Sequence, residues 1–198
     1  MKLFYAGNSP YARRARLSAR ASGLGVEEVD IAPLVRPDQP LLKKGPGGKV
    51  PALETDSGAF LCETLIITNY LNEKSGGKLL PAGDAKADAA RSLEGLGSLL
   101  MDGLFIRSAE MRKEGGTPWA AMQEKEAARS ARCYDALADA LSGQPATLNV
   151  ATIAAVSSLG YADWRLPGDD WRKGRQGLSA WYDAMHTLED VEVTKPVF

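Results

Sequence analysis

The first 75 residues alternate between short apolar runs and helical patterns. A strand is predicted over residues 2–6, where an apolar run ends at a Gly-Asn pair. A helix is predicted over residues 10–22, since proline suits a first helical position and two glycines follow the last turn. Residues 26–31 form a second predicted strand.

Turn-forming residues divide the rest of this half. The prolines and glycines of residues 32–48 predict a loop, with room for one irregular helical turn. Two short strands are predicted over residues 50–54 and 59–62, joined by a Thr-Asp-Ser-Gly turn. A helix over residues 63–73 follows. The face predicted for this helix carries Leu65, Ile66, Asn69, Tyr70 and Asn72.

The second half is predicted to be helical throughout. Beyond a Gly- and Pro-containing stretch, helices are predicted over residues 87–111, 117–141, 150–164 and 177–188, the second opened by Thr117-Pro118. The third is apolar nearly all round and is predicted to be a buried central helix. The apolar stripes predicted for the first two are Leu93, Leu96, Leu100, Leu104 and Met111, and Ala127, Ala131, Tyr134, Ala138 and Leu141.

The expected architecture is therefore α/β followed by all-α. A domain with a mixed four-stranded sheet is predicted over residues 1–75, a linker over 76–86 and an all-helical domain over 87–198. A chain of 198 residues is long enough to bury a core without disulfides.

Composition and charge exclude several classes of protein. The 24 basic and 25 acidic side chains give a formal net charge of −1, without the basic excess typical of nucleic-acid binding. No apolar stretch approaches the ~20 residues of a membrane helix, and the N-terminus lacks the pattern of a signal peptide. A single histidine argues against a metal site. Cys62 and Cys133 make no disulfide framework; they are expected to be buried, in a reducing, cytoplasmic setting.

The junction of the first strand and first helix is the first candidate site. Ser9 precedes the helix, where the helix dipole and free backbone N–H groups stabilise an anion, including a thiolate. Serine and asparagine are also common helix caps, and for Ser9 and Asn8 taken alone a capping role is the simpler interpretation.

Two further segments are candidates for ligand binding. Lys49 and Val50 precede Pro51 at the start of a strand; a cis bond there exposes the backbone of Val50 to a ligand, although most X–Pro bonds are trans. Glu63 and Thr64 open the next helix, where a hydroxyl and backbone N–H groups suit a carboxylate and Glu63 suits an ammonium group. The pair also fits an ordinary cap.

The order and spacing of these segments resemble those of one family, the glutathione S-transferases. The matching segments are KLFYAGNSPYARRAR, GGKVPAL, ETLIITNYL and ATLNVATIAAVSSLGYADWR. In detail the chain is similar to the bacterial branch that uses serine or cysteine at the active position. The resemblance covers the whole chain and implies a thioredoxin-like N-terminal domain, an all-helical domain that binds the co-substrate, and assembly as a homodimer.

The resemblance also implies roles for matching residues. Ser9 is expected to donate a hydrogen bond to the glutathione sulfur. The Val50–Pro51 bond is expected to be cis, with the backbone of Val50 paired to the cysteinyl part. Glu63 and Thr64 are expected to hold the γ-glutamyl end, and Lys49 to approach the glycyl carboxylate. The thiolate then attacks a small electrophile, with no metal or other cofactor.

The co-substrate cleft is implied to lie against the helical half. Tyr11, Met101 and Phe105 are its candidate residues, and Asp102, Leu104 and Arg107 lie on the same predicted helix. Tyr5 and Asn8 remain alternatives to Ser9 as the group that activates the thiol. The arginines of the first helix are expected on a solvated face or in dimer contacts. They are Arg13, Arg14, Arg16 and Arg20.

The chain departs from the family pattern at three places. Thr64 replaces the commoner serine, Thr152 stands where an aspartate is common, and the loop before Val50 reads KGPGGK. Two rival functions stay open: a glutathione-binding or regulatory protein without turnover, and a glutathione-dependent thiol oxidoreductase. The second requires a cysteine at the start of the first helix, where this chain has Ser9.

Overall fold

The computed structural model describes residues 1–32, 41–45, 47–113, 117 and 119–196, and in them a four-stranded sheet is followed by a helical half. The strands are β1 (Lys2–Tyr5), β2 (Glu27–Asp30), β3 (Ala52–Glu54) and β4 (Phe60–Cys62). The helices are α1 (Pro10–Ser22), α2 (Leu41–Lys44), α3 (Thr64–Lys74), α4 (Asp84–Met111), α5 (Ala120–Leu141), α6 (Val150–Arg165), α7 (Gln176–Met185) and α8 (Glu189–Val193).

The sheet is mixed and has the order β2-β1-β3-β4. β1 pairs in parallel with β2 and antiparallel with β3, which pairs antiparallel with β4. Leu3 and Leu53 are register partners and are fully buried among Ala15 of α1 and Ile67 and Leu71 of α3. These observations confirm the predicted fold class.

Helix α1 begins and ends at the residues that the sequence predicts. The Ser9 hydroxyl oxygen accepts from the Ala12 N–H, and Pro10 occupies the first turn. Gly23 ends the helix with φ 70° and ψ 18°, a left-handed conformation that glycine adopts without a steric penalty.

Helix α6 is the centre of the helical half. Every residue from Val150 to Ala162 is buried, as the continuous apolar pattern predicts. The Asn149 side chain accepts from the Thr152 N–H while the Thr152 hydroxyl accepts from the Asn149 N–H, so the substitution of the common aspartate leaves a complete capping box. The Val150 N–H also donates to the carbonyl of Leu79, which ties α6 to the segment before α4.

The expectation that the arginines of α1 are solvated is wrong for three of them. Arg13, Arg14 and Arg16 are only 3%, 4% and 7% exposed, because α1 lies between the sheet and the helical half. Arg14 pairs with buried Glu94 of α4, and Arg16 pairs with Glu28 of β2.

Arg13 has a different kind of partner. Its guanidinium donates to the carbonyls of Val156 and Val191, at 3.5 and 3.2 Å. Gly160 of α6 makes room for it, since a Cβ at that position would collide with Arg13 Nη1. Burial lowers the pKa of Arg13, and the nearby Tyr182 hydroxyl opposes that shift. The charge is thus held by peptide dipoles rather than by water.

The predicted face of α3 is out of phase, whereas the predicted stripes of α4 and α5 are correct in part, at Leu100 and Leu104 and at Tyr134 and Leu141. On α3, Ile67 and Leu71 are buried while Leu65 and Ile66 are exposed. Met111 of the α4 stripe is exposed, and the buried face of α5 is formed by Cys133, Tyr134, Leu137 and Leu141. The cause is that the neighbouring elements select the buried side of each helix: α3 packs on α1 and the sheet, and α5 packs on α4 and α7.

Element ends differ from the predictions by a few residues. α4 begins at Asp84, within the predicted linker, and α5 begins at Ala120 rather than at Thr117. The last predicted helix corresponds to α7, which ends at Met185, and the short helix α8 beyond it was not predicted. The predicted loop prolines at 33, 37, 40 and 46, and the predicted helix-opening Pro118, lie outside the described residues.

The Arg14–Glu94 pair yields a stability prediction. Arg14→Met leaves the buried Glu94 carboxylate unpaired and is expected to lower the free energy of unfolding by about 3–5 kcal/mol. The double variant Arg14→Met/Glu94→Met is expected to recover most of that loss. Urea unfolding followed by circular dichroism measures both.

The matched control is Arg91→Met, because Arg91 makes an exposed pair with Asp88 at 3.2 Å. Its expected cost is below about 1 kcal/mol. Equal losses for Arg14→Met and Arg91→Met would contradict the role assigned to the buried pair.

Candidate functional site

A cavity of about 530 Å³ lies between the sheet half and the helical half. Its volume is within the range of about 300–1,000 Å³ typical of small-molecule sites. One wall comes from the N-terminal half: Asn8, Ser9, Tyr11, Gly47, Lys49, Val50, Pro51, Cys62, Glu63 and Thr64. The other comes from α4 and α6: Asp102, Phe105, Arg112, Tyr161 and Arg165.

Ser9 lies at the cavity with its hydroxyl only partly used. The oxygen accepts from the Ala12 N–H at 3.2 Å, while no described residue accepts the hydroxyl proton. A capping role and donation to an anion in the cavity are therefore compatible, because they use different parts of the hydroxyl group. The α1 dipole also favours negative charge at this position.

The start of α3 is a second anion-binding position. The Glu63 side chain makes no capping hydrogen bond, so the cap interpretation of this pair is wrong and the first-turn N–H groups remain available. Glu63 has φ 70° and ψ 129°, a conformation that costs a non-glycine residue roughly 1–3 kcal/mol. Backbone strain of this kind concentrates at functional sites. The Thr64 hydroxyl lies 3.5 Å from the Tyr11 carbonyl oxygen.

The loop before β3 completes the N-terminal wall. The Val50–Pro51 bond is cis, as predicted. Val50, Pro51 and exposed Lys49 all line the cavity. The three segments that the sequence analysis singled out thus line one cavity. They give its wall the hydroxyl groups of Ser9 and Thr64 and the uncapped start of α3.

Tyr11 joins the two walls. Its hydroxyl donates to Asp102 Oδ1 at 2.7 Å, and its ring packs edge-on against Phe105 with the centroids 5.5 Å apart. Burial, followed by the hydrogen bond to Asp102, raises the pKa of Tyr11. The phenol therefore stays protonated at physiological pH, with its proton directed at Asp102 rather than at Ser9.

Several predicted cleft residues lie elsewhere. Met101 is 3% exposed in the helical core, and Leu104 is fully buried there, because the cavity faces the side of α4 that carries Asp102 and Phe105. Arg107 is buried and forms a two-pronged ion pair with Asp169. The Tyr5 ring lies beneath Arg16, 4.1 Å from its guanidinium carbon, and Tyr5 does not line the cavity.

The sequence analysis missed four cavity residues. Cys62 was expected to be buried, yet it is exposed and lines the cavity, because β4 is an edge strand. Arg112 and Arg165 follow or end long helices, and Tyr161 lies near the end of α6. The sequence does place Arg112 and Arg165 at the ends of two predicted helices. It does not show that they line one cavity, because that depends on how the helices pack.

In the part of the chain that the structure describes, no three His, Cys, Asp or Glu side chains cluster so as to hold a metal ion. None of the described helices is long and apolar enough to cross a membrane.

Comparison with known proteins gives concordant matches. The family model described as glutathione S-transferase, N-terminal domain, matches residues 3–79. An uncharacterised GST-like protein of Escherichia coli K12, YibF, is 26% identical over 204 residues that cover 99% of this chain and 98% of that protein.

Solved structures match over the full length. A glutathione S-transferase from Methylobacillus flagellatus, solved with glutathione bound, has a TM-score of 0.88 and 28% identity and covers 99% of each chain. A glutathione transferase family member from Pseudomonas fluorescens, also with bound glutathione, has a TM-score of 0.84 at 24% identity, covering 100% of this chain and 99% of the other; at that identity the likeness concerns the fold. Residues 3–79 thus match the glutathione S-transferase N-terminal domain, and the whole chain shares its fold with solved glutathione S-transferases.

Proposed function

We propose that the protein is a glutathione transferase that conjugates the glutathione thiolate to small electrophiles. The observation that carries this proposal is the Ser9 hydroxyl, which lines the same cavity as the uncapped start of α3 and keeps its proton uncommitted among the described residues. The bound glutathione of the Methylobacillus flagellatus relative supports the choice of thiol.

Glutathione is proposed to lie along the N-terminal wall. Its γ-glutamyl carboxylate would meet the first-turn N–H groups and hydroxyl of Thr64, and its ammonium group would meet Glu63. Its cysteinyl part would pair with the backbone of Val50, and Lys49 is available to the glycyl carboxylate. This placement brings the sulfur toward Ser9.

The chemical step requires a thiolate near neutral pH. A free thiol has a pKa of ~8.5, so a hydroxyl donor and a helix N-terminus favour the anion. The thiol proton passes to solvent and the sulfur forms a bond to the electrophilic carbon. In a substitution the leaving group departs with the bonding electron pair; in an addition that pair moves onto the substrate and is protonated by solvent.

The two rival functions differ from transfer in different ways. A thiol oxidoreductase would use a cysteine to form a mixed disulfide, and the exposed cavity thiol is Cys62, at the end of β4 rather than at the start of α1. A binding protein would hold glutathione without turnover. Variants of Ser9 and Cys62 separate these possibilities.

Ser9→Ala is expected to lower kcat/KM with a chromogenic electrophile by roughly 10- to 1,000-fold at pH 7, while glutathione still binds. One donor to a developing anion is worth about 2–4 kcal/mol in favourable cases, and here the helix dipole remains. The deficit should shrink as the pH rises past ~8.5, where the thiol ionises unaided. A pH–rate profile of both proteins measures this.

Tyr5→Phe and Cys62→Ser are the controls for that profile. Tyr5 does not line the cavity, and Cys62 lines it without a role in transfer, so both variants should follow the wild-type curve. A fully active Ser9→Ala protein would contradict the role of Ser9. Loss of activity only in Cys62→Ser would favour the oxidoreductase.

Glu63→Gln and Thr64→Ala are expected to weaken glutathione binding. A lost hydrogen bond to a charged group costs about 1.5–3 kcal/mol, or roughly 10- to 100-fold in Kd. Isothermal titration calorimetry measures the change, and an unaltered melting temperature shows that the fold is intact. Wild-type affinity in both variants would rule out this placement of the γ-glutamyl end.

The proposed assembly is a homodimer in the cytoplasm. Both cysteines are free thiols, which suits a reducing compartment. Leu65 and Ile66 of α3 and Leu99 of α4 are exposed apolar side chains that a partner subunit would cover.

Light scattering at micromolar concentration is expected to give a dimer mass for the wild type. Ile66→Glu should give a monomer, since a charge would be buried in the contact, whereas Val193→Glu, at an exposed position on α8, should stay dimeric. A monomeric wild-type protein would contradict the proposed assembly.

A further inference from the structure

Two arginines line the helical side of the cavity. Arg112 directly follows α4, and Arg165 is the last residue of α6. Among the described residues, neither forms an ion pair with a carboxylate. Three other arginines of the helical half each form an ion pair with an aspartate. The N–O distances are 2.6 Å for Arg107, 2.5 Å for Arg172 and 2.7 Å for Arg175.

Arg165 is held in a fixed position. Its guanidinium carbon lies 3.4 Å from the centroid of the Trp164 ring, and its Nε is buried without a hydrogen-bond partner among the described residues. Stacking of this kind orients the planar group and limits its motion. The Arg165 side chain also has a hydrogen bond with Tyr161, another cavity residue. A guanidinium positioned in this way at a cavity suits a planar anion.

The charge of Arg112 acts on the guanidinium of Arg165. Burial lowers the pKa of Arg165, and the positive charge of Arg112 lowers it further. Like charges that share a cavity repel, and an anion placed between them would relieve that repulsion. Neither carboxylate of the cavity lining forms an ion pair with Arg112 or Arg165 among the described residues. Asp102 accepts a hydrogen bond from Tyr11, and Glu63 lies on the opposite wall.

An aromatic path connects the Ser9 end of the cavity with these arginines. The Tyr11 ring contacts Phe105, and the Phe105 ring stacks near Tyr161 with the centroids 6.4 Å apart. Arg112 lies about two helical turns beyond Phe105, or roughly 10 Å along the α4 axis. A flat ring beside the sulfur could therefore carry an acidic group toward Arg112 and Arg165.

We propose that Arg112 and Arg165 bind a carboxylate of the electrophile, and that the preferred co-substrates are aromatic electrophiles bearing a carboxylate. This inference rests on the proposed transferase function. With 4-(chloromethyl)benzoate, the sulfur–carbon bond forms, the carbon–chlorine bond breaks, chloride leaves with the electron pair, and the thiol proton passes to solvent. The product, S-(4-carboxybenzyl)glutathione, retains the carboxylate.

Binding of the product tests this recognition without depending on turnover. Calorimetry would compare glutathione, S-(4-carboxybenzyl)glutathione and the methyl ester of its benzoate group. The wild-type protein should bind the acid about 10- to 100-fold more tightly than the ester, since hydrogen bonds to a charged group are worth that factor. Arg112→Gln and Arg165→Gln should each reduce that preference, and the double variant should abolish it.

Arg132→Gln is the matched control, because Arg132 is an exposed arginine of α5 that does not line the cavity. Its preference for the acid should equal that of the wild type. Melting temperatures would verify that the variants fold. If the Arg165→Gln variant is misfolded, the Arg112→Gln variant still tests the proposal, because Arg112 is exposed and its replacement removes no buried contact.

The outcomes separate the two proposals. Equal affinity for acid and ester in the wild type, or a preference that survives in the double variant, overturns the carboxylate site and leaves glutathione binding intact. Failure to bind glutathione and both conjugates overturns the proposed function, and the inference with it. Conjugate binding with a clear acid preference supports the carboxylate site even if a neutral electrophile turns over slowly.

Discussion

Helix α1 must bury three guanidinium groups, and the rest of the structure depends on how their charges are accommodated. Burial of a charge without partners is prohibitive. Arg14 pairs with Glu94 of α4, Arg16 pairs with Glu28 of β2, and Arg13 donates to carbonyls of α6 and α8. These contacts hold α1 against the sheet on one side and the helical half on the other.

The position of α1 determines the geometry of the candidate site. Its first turn faces the cavity, so Ser9 and Tyr11 stand where the two halves meet. The Tyr11–Asp102 hydrogen bond then sets which side of α4 lines the cavity, and this excludes Met101 from it. Helix α1 thus has two roles. Its buried arginines form hydrogen bonds within the protein, and its N-terminal end lines the cavity.

Charge is distributed unevenly between the two cavity walls. The N-terminal wall offers a hydroxyl, an uncapped helix start and Lys49, a set that suits a peptide with carboxylates and a thiolate. The helical wall offers aromatic rings and two arginines without acidic partners among the described residues. The proposed thiol-binding wall therefore faces a wall of aromatic and basic side chains, and it is the latter that would select the co-substrate.

The sequence by itself determined the order of the elements and most of the residues on the N-terminal wall of the cavity. Local signals suffice there: a strand that ends at glycine, a serine before proline, a Val-Pro pair, and a glutamate before a helix are each contiguous in the chain. Only the tertiary structure decided which helix faces are buried, that Arg13, Arg14 and Arg16 lie inside, and that Arg112 and Arg165 meet at the cavity. The physical reason is that burial and charge pairing depend on contacts between residues far apart in sequence, which helical periodicity does not encode.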